Sequence, residues 1–261
     1  MVFIIAEIGI NHNGSISIAK KLIDVAKEAG CDAVKFQKRT VEAVYTKDVL
    51  DSYRESPWGN TNRDQKNGLE FSLNDFKKID VYSKKKKIKW FVSCWDIKSQ
   101  IKMRQFKTKH NKVASAMLVH KKLLEIIARE RKYTFISTGM STMKQIEVAV
   151  KIFRKNKCPF ELMHSHSTYP MPLTEANLKL IPVLKKKFRC KVGYSGHEKE
   201  AYEVCIPAVI LGAASIERHI TLDRSMYGSD QASSLEPSGI NRLVRNIRNM
   251  ELILGDGKKR V

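Results

Sequence analysis

Acidic residues, cysteines and long apolar runs are all scarce in this chain of 261 residues, and each shortage excludes a class of protein. The five cysteines are scattered and include no CxxC pair, so reduced thiols in a cytoplasm are expected rather than a disulfide framework. No run of about 18 apolar residues occurs, which argues against a membrane-spanning helix. The opening residues, MVFIIAEIGINHNG, lack a basic segment before their short apolar run and are not expected to be a signal peptide.

Carboxylates are strongly outnumbered, with 27 Asp and Glu against 48 Lys and Arg and a formal net charge of +21. Such a balance suits nucleic acid, a membrane surface or an anionic substrate. The lysine runs at 84–87 and 185–187, however, each end a predicted helix, where cations favour the helix dipole and face water. No zinc finger, basic heptad helix or aromatic-basic strand pattern is present. We therefore expect neither nucleic acid nor a membrane as a partner.

Short apolar runs recur along the chain, and helical patterns separate most of them. Continuous runs of this length are typical of strands buried on both faces. They lie at residues 3–6, 33–36, 90–92, 112–114, 134–136, 161–163, 191–193 and 215–216. Helical patterns lie at 18–30, with Gly30 as a predicted C-terminal cap, and at 123–131, 142–153, 177–188, 202–211 and 237–254. Eight such strands alternating with helices predict a single-domain (β/α)8 TIM barrel over residues 1–261, and no GxGxxG follows a strand to favour an open sheet.

The segment 38–70 differs from the rest because it is rich in turn-forming residues. A loop of that length inside a compact domain is usually functional. It follows the run that contains Lys35 and carries Trp58, Arg54 and Arg63, so it is expected to form a lid over the site. A dimer contact or disorder is the alternative.

Polar side chains follow the predicted strands, where the active site of a TIM barrel lies. Lysine, serine and threonine side chains that converge on one mouth form a pocket for phosphate or carboxylate. The polar residues at these strand ends are Glu7, Lys35, Gln37, Ser93, Asp96, Lys112, Ser115, Ser137, Thr138, His164, His166, Tyr169, Ser195, His197, Glu217 and His219.

Two of these histidines, His197 and His219, follow neighbouring strands in GYSGHE and SIERHIT. Two neutral imidazoles so placed would share one divalent ion and leave positions for substrate and water. A purely hydrogen-bonding role is the alternative. His164 is interpreted as a structural residue, and His110 and His120 as surface histidines.

Lys35 and Lys112 each lie inside an apolar run, in AVKFQ and NKVASA. Burial of a lone ammonium is costly, so each needs an anion. That anion is either Glu7 or Glu217 in a core ion pair, or the phosphate or carboxylate of a substrate. A Schiff-base lysine is a third option.

Six motifs in chain order resemble the sialic acid synthase family over nearly the whole chain. They are AEIGINHNG at 6–14, VKFQ at 34–37, STGMS at 137–141, STYPMP at 167–172, GYSGHE at 193–198 and IERHITLDRSMYGSDQASSLEP at 216–237. The resemblance implies a TIM barrel that condenses phosphoenolpyruvate with an N-acyl hexosamine aldehyde, such as N-acetylmannosamine, and water. The products are a nine-carbon 2-keto sugar acid and phosphate, formed by C–O cleavage. A divalent metal is also implied, manganese first, with magnesium and cobalt as alternatives.

Roles follow from the resemblance position by position. His197 and His219 match metal ligands, and Glu7 and Glu217 match acidic groups near the reacting carbons. The positions that match phosphoenolpyruvate binding are Lys35, Lys112, Ser115, Ser137 and Ser195, and those near the acceptor sugar are Gln37, Tyr169 and Asp230. We therefore expect Glu7, Glu217, Lys35 and Lys112 to be catalytic. Met117, Cys94 and Ser167 replace the Glu, Thr and Asn that the family often has, which bears on the acceptor rather than on the reaction type.

Family members commonly carry a C-terminal antifreeze-like domain that gives an arginine to the partner subunit's site, whereas this sequence reads only to Val261. The arginine is then absent, comes from a separate antifreeze-like protein, or is replaced locally by Arg54, Arg63 or Arg224. The expected protein partners are a second copy of the chain, in a homodimer, or that separate protein. Three other classes are kept as alternatives. They are a related synthase that takes a phosphorylated aldose, a class I aldolase that uses Lys35 or Lys112, and a non-enzymatic binding module.

Overall fold

Eight parallel strands close into a barrel in the computed structural model, which describes residues 1–259. The barrel strands are β1 (Phe3–Gly9), β2 (Ala33–Lys38), β5 (Lys89–Cys94), β6 (His110–Val113), β7 (Tyr133–Ser137), β8 (Phe160–Ser165), β9 (Lys191–Gly196) and β10 (Ser215–His219). They neighbour one another in chain order, and β10 pairs with β1 to close the ring. Each predicted apolar run overlaps one of these strands, so the TIM-barrel prediction is confirmed.

Helices surround the barrel on the outside. They are α1 (Ile16–Glu28), α2 (Val41–Val44), α3 (Lys47–Asp51), α4 (Asn62–Leu69), α5 (Leu73–Lys86), α6 (Ile97–Met103), α7 (Lys121–Arg129), α8 (Met143–Lys155), α9 (Leu180–Phe188), α10 (Ala201–Ile210) and α11 (Pro237–Leu254). The lysine runs end α5 and α9 as predicted. Ala29 caps α1, and Gly30 follows it at a φ of +83°. Within residues 1–259, no helix combines the length and apolarity that crossing a bilayer needs.

Apolar side chains fill the interior of the barrel at its N-terminal end and form a plug, which leaves the C-terminal end for a site. Ile5, Phe91, Phe135 and Met163 form this plug together with Ala33, and all are almost fully buried. His110 packs against it, with its ring centroid 5.5 Å from that of Phe91 and 5.7 Å from that of Phe135. Burial, with two nearby lysines, lowers the pKa of His110 to about 4. The prediction of a surface histidine was wrong, because its neighbours come from distant strands.

The segment 38–70 is ordered rather than irregular. It contains α2, α3, α4 and a hairpin of β3 (Tyr53–Ser56) and β4 (Gly59–Thr61). Thr61 and Asp64 form a capping box at the start of α4. The segment packs on the loop after β10, where Gln65 Nε2 donates to the Tyr227 hydroxyl at 3.2 Å. Sequence periodicity missed these elements because each is eight residues or shorter.

Candidate active site

A cavity of about 200 Å³ opens at the C-terminal end of the barrel. Eleven of the twelve predicted site residues line it: Glu7, Lys35, Gln37, Lys112, Ser115, Ser137, Tyr169, Ser195, His197, Glu217 and His219. The twelfth, Asp230, lies just beyond, with its Oδ2 atom 3.8 Å from His219 Nδ1. The residues that sequence reasoning placed at one mouth are therefore brought together, although their roles remain predictions.

Two lysines and two glutamates form a buried ion network on the cavity floor. Glu7 on β1 lies in register with Lys35 on β2, and Lys35 Nζ is 3.2 Å from Glu7 Oε2 and 3.1 Å from Glu217 Oε1. Lys112 Nζ lies 3.0 Å from both carboxylate oxygens of Glu217. Glu217 also accepts a hydrogen bond from Ser195 Oγ at 3.2 Å. Both lysines thus have carboxylate partners, the arrangement anticipated as a core ion pair.

Glu217 contacts both lysines, whereas Glu7 contacts Lys35 alone. The pKa values of the lysines and of Glu217 follow from this difference. Burial opposes ionisation of Glu217, but Lys112 and Lys35 lower its pKa to about 2. Burial also works against the charge of Lys35, yet two carboxylates flank this lysine and its pKa is raised. Lys112 is buried against one carboxylate with Lys35 nearby, and its pKa falls to about 8. At neutral pH the two lysines are charged and Glu217 is ionised, with Lys112 the cation that loses its proton first.

Serine hydroxyls converge on the backbone of Gly139, on the opposite side of the cavity. Ser115 Oγ lies 3.3 Å from Ser165 Oγ, which accepts the Gly139 N–H at 3.1 Å. A Cβ at Gly139 would sit 2.5 Å from Ser167 Oγ and 2.8 Å from Ser115 Oγ, so only glycine leaves the space free. Ser165 contacts the cavity-lining Ser115 but does not itself line the cavity, and neither it nor Gly139 was among the predicted site residues. The available signal was the pair of alternating serines in SHS, of which Ser165 ends β8 and Ser167 follows it.

Gln37 connects the ion network to an arginine that sequence reasoning also missed. Its Nε2 donates to Glu7 Oε1 at 3.0 Å, and its Oε1 accepts from Arg39 Nη2. Arg39 also pairs with Glu70 at 3.1 Å, and its guanidinium lies 4.4 Å from the ring of Trp95, which lines the cavity. The run of Lys35, Gln37 and Arg39 at every second position was the signal for it, because such residues share one face of a strand.

Three arginines were suggested above as local substitutes for the arginine of the antifreeze-like domain, and none of them lines the cavity. Arg63 Nη2 pairs with Asp51 Oδ1 at 2.7 Å on the surface, and Arg224 Nε donates to the Ser234 carbonyl at 2.8 Å. Arg54, by contrast, has no carboxylate within 4.0 Å among residues 1–259. It is half-buried beside α4.

His197 and His219 face each other across the mouth, with ring centroids 5.7 Å apart. His197 Nδ1 lies 2.6 Å from the His166 carbonyl, and since a carbonyl only accepts, this nitrogen carries the proton. Nε2 therefore holds a lone pair, toward which the Tyr169 hydroxyl donates at 2.7 Å. Burial, with His219 nearby, lowers the pKa of His197 to about 3, which keeps the ring neutral.

This arrangement fits a divalent ion held by two protein nitrogens. The Nδ1 atom of His219 is buried and has no hydrogen-bond partner among the described residues. The nearest carboxylate to this nitrogen is that of Asp230, whose Oδ2 atom lies 3.8 Å away. Across residues 1–259, no three His, Cys, Asp or Glu side chains are grouped tightly enough to bind a metal on their own. Substrate and water would therefore complete the coordination, as in catalytic rather than structural sites.

Comparisons with known proteins identify relatives over nearly the whole chain. The NeuB family model matches residues 22–259. The chain is 38% identical to N-acetylneuraminate-9-phosphate synthase from Drosophila melanogaster over 96% of this chain and 68% of that protein. It is 35% identical to N,N'-diacetyllegionaminic acid synthase from Campylobacter jejuni, over 98% and 78% respectively.

A solved structure extends the likeness to the fold. The crystal structure of sialic acid synthetase from Leptospira borgpetersenii superposes with a TM-score of 0.90 at 34% identity, covering 100% of this chain and 87% of that one. Both the sequence relatives and the structural relative are named as synthases of sialic-acid-type sugars. The chain is therefore an enzyme of this kind and belongs to the NeuB family of sialic acid synthases.

Proposed function

We propose that this enzyme condenses phosphoenolpyruvate with the aldehyde of an N-acyl hexosamine and water, releasing phosphate and a nine-carbon 2-keto sugar acid. The observation that carries the proposal is the buried network of Lys35, Lys112, Glu7 and Glu217, which lies in one cavity with the two facing histidines. The relatives' names, which describe synthases of nine-carbon sugar acids, support the same class of product.

Phosphoenolpyruvate is small and multiply anionic, and the cavity offers complementary groups. Lys35 and Lys112 supply cations in a water-poor setting, where each charged contact is strong. The hydroxyls of Ser115 and Ser167, which converge on Gly139, supply donors suited to phosphate oxygens. Neutralising this charge lets the electron-rich enol carbon approach the aldehyde.

The two glutamates are suited to different tasks. Glu217 is held by both lysines and Ser195, so its carboxylate is a weak base. Glu7 contacts one lysine, Lys35, and the neutral amide of Gln37, whereas Glu217 contacts two lysines. After the terminal methylene carbon of phosphoenolpyruvate attacks the aldehyde, the aldehyde oxygen takes up a proton and becomes a hydroxyl. The carbon that bears the phosphate is left cationic and takes up water. In this scheme Glu7 removes the proton of that water, and the tetrahedral intermediate expels phosphate by C–O cleavage.

A divalent ion, with manganese preferred over magnesium or cobalt, would be held by the Nε2 atom of His197 and a ring nitrogen of His219. When bound, it supplies electrophilic polarisation of the aldehyde oxygen. Tyr169, which is 43% exposed at the mouth, must release His197 Nε2 for this and is then free to contact the acceptor.

The direct test measures phosphate release from phosphoenolpyruvate with a panel of N-acyl hexosamines and Mn²⁺. Release that requires both an N-acyl hexosamine and phosphoenolpyruvate supports the proposal. Borohydride trapping of the protein with pyruvate would instead indicate a Schiff-base aldolase. A protein that binds none of these ligands would be a non-enzymatic module, contrary to the proposal.

An acceptor that carries its own phosphate is a second candidate, and a group of cations beside the site favours it. Arg39, Arg54 and Lys66 form this distal cation cluster. Lys66 Nζ lies 5.4 Å from the Tyr45 ring, and neither Lys66 nor Arg54 pairs with a carboxylate among residues 1–259. Burial together with Arg54 and Arg39 lowers the pKa of Lys66 to about 8, although Asp230 acts in the opposite direction. Arg39 is paired with Glu70, so Arg54 and Lys66 supply the positive charge that suits a phosphate at the far end of the sugar.

Replacing Lys66 by alanine is therefore expected to raise KM for a 6-phosphorylated N-acyl hexosamine by about ten- to hundredfold, because one charge-assisted contact is worth about 1.5–3 kcal/mol. KM for the unphosphorylated sugar should stay within about twofold. Phosphate-release assays with both acceptors measure this difference, and Lys47→Ala on nearby α3 serves as a control. Equal effects on both acceptors, or no effect on either, would argue against a phosphate contact.

The lowered pKa of Lys112 predicts a pH dependence. Above about pH 8 this lysine loses its charge, so kcat/KM for phosphoenolpyruvate is expected to fall about tenfold per pH unit. Lys112→Arg should move that fall to higher pH, because a guanidinium stays protonated. Lys191→Arg, at the opposite end of the barrel, is the control. A profile that stays flat from pH 7 to pH 10 in the native enzyme would contradict the assignment.

A further inference from the structure

Arg218 is only 1% exposed, although it lies on β10 between two residues of the site, Glu217 and His219. Side chains alternate along a strand, so these two neighbours point into the barrel while Arg218 points toward the helices. Ile216, on the same outer face, belongs to the apolar layer between strands and helices. A guanidinium in such a layer is costly unless its charge and hydrogen bonds are satisfied.

Glu198, which directly follows His197 and is fully buried, provides that anion. Arg218 Nη1 donates to Glu198 Oε1, and Nη2 donates to the Glu198 carbonyl. The Tyr194 hydroxyl donates to the second carboxylate oxygen of Glu198 at 2.9 Å. The buried ion pair therefore joins the strand that ends in His219 to the loop that carries His197.

The guanidinium also reaches the segment that carries Asp230. Arg218 Nη2 lies 3.5 Å from the Ser233 carbonyl, and the Ser233 hydroxyl donates to the Asp230 carbonyl at 3.1 Å. Gly196 on β9 lies in register with Arg218 on β10. A Cβ at Gly196 would meet Glu198 Oε2 at 2.5 Å and Arg218 Nη1 at 2.6 Å, so glycine is required for the pair to fit.

We propose that Arg218 and Glu198 are positioning residues, which hold His197 and His219 at the separation that a shared divalent ion requires. The inference rests on the proposed function, in which these two imidazoles bind the metal. Neither residue lines the cavity, so both act through the backbone of β10 and of the loop after β9. Groups that orient metal ligands from behind typically change metal affinity or activity by about 10- to 100-fold.

The test is a double variant, Arg218→Met with Glu198→Met, which removes both charges without leaving one of them buried alone. The Kd for Mn²⁺, measured from free Mn²⁺ by electron paramagnetic resonance without substrates, is expected to rise about 10- to 100-fold. Saturating Mn²⁺ should restore most of kcat, and KM for phosphoenolpyruvate should change little. A second double variant, Glu161→Met with Ser215→Ala, removes a buried polar pair at the other end of the barrel and should leave Mn²⁺ affinity unchanged.

Unchanged Mn²⁺ affinity in the folded Arg218→Met/Glu198→Met variant would overturn the inference and leave the proposed function standing. If that variant does not fold, Arg218→Lys is used, since it keeps a cation opposite Glu198 but lacks the second guanidinium nitrogen that donates to the Glu198 and Ser233 carbonyls. Its Kd for Mn²⁺ should rise at least about threefold, and an unchanged value would equally overturn the inference. A native enzyme that binds no Mn²⁺ would overturn both the metal site and this inference.

Discussion

His219→Ala is expected to abolish binding of the divalent ion and to lower turnover by about a thousandfold, which corresponds to about 4 kcal/mol of lost transition-state stabilisation. With two imidazoles as the protein ligands, loss of either leaves a single nitrogen, so His197→Ala should behave in the same way. The barrel should still fold, because His219 Nδ1 forms no hydrogen bond within the described residues. Metal content, Mn²⁺ titration and phosphate release are the measurements.

His120→Asn is the matched control for the histidine variants. His120 caps α7 by accepting from the Leu123 N–H at 3.2 Å, and asparagine preserves such a cap. This variant should keep native metal content and activity. Native metal stoichiometry in both His197→Ala and His219→Ala would show that these imidazoles are not the ligands.

Glu217→Gln is expected to lower the free energy of unfolding by about 3–5 kcal/mol at pH 7 and to impair turnover, because it leaves two buried lysines with the single carboxylate of Glu7. Phosphoenolpyruvate should then stabilise the variant more than the native enzyme, since its anionic groups supply the missing charge. Urea unfolding with and without phosphoenolpyruvate measures both effects.

The same variant has a predicted pH signature. The folded-state pKa of Glu217, about 2, lies below the ordinary value of 4.5, so its stabilising contribution is full above pH 4.5 and is lost as the pH falls toward 2. The stability gap between native and variant enzyme should therefore narrow through that interval. Glu161→Gln is the control, because burial raises the pKa of Glu161 and no lysine lies within 4.0 Å of it among the described residues. If the difference in unfolding free energy between the native and the Glu217→Gln enzyme stays constant from pH 6 to pH 3, the buried ion network does not stabilise the protein as proposed.

Strand ends were predictable because each strand is a continuous apolar run followed by a polar residue, a pattern that needs only local sequence. That pattern placed Lys112 and Glu217 in one cavity although they are far apart in the chain. The environment of His110 was not predictable, because its aromatic neighbours lie on β1, β5 and β7. Arg218 was missed for a related reason: its partner Glu198 lies in the loop after another strand, so nothing local in the sequence indicates the pairing.

The closure of the barrel by β1 and β10 has a consequence for synthesis of the chain. Glu7 lies in register with His219, so the two sides of the candidate site come from strands about 210 residues apart. Such non-local pairing forms late, because the entropy of closing a long loop must be overcome first. A nascent chain that contains only β1 to β9 therefore lacks one side of the candidate site. The candidate site is complete only once β10, the last barrel strand, has emerged and paired with β1.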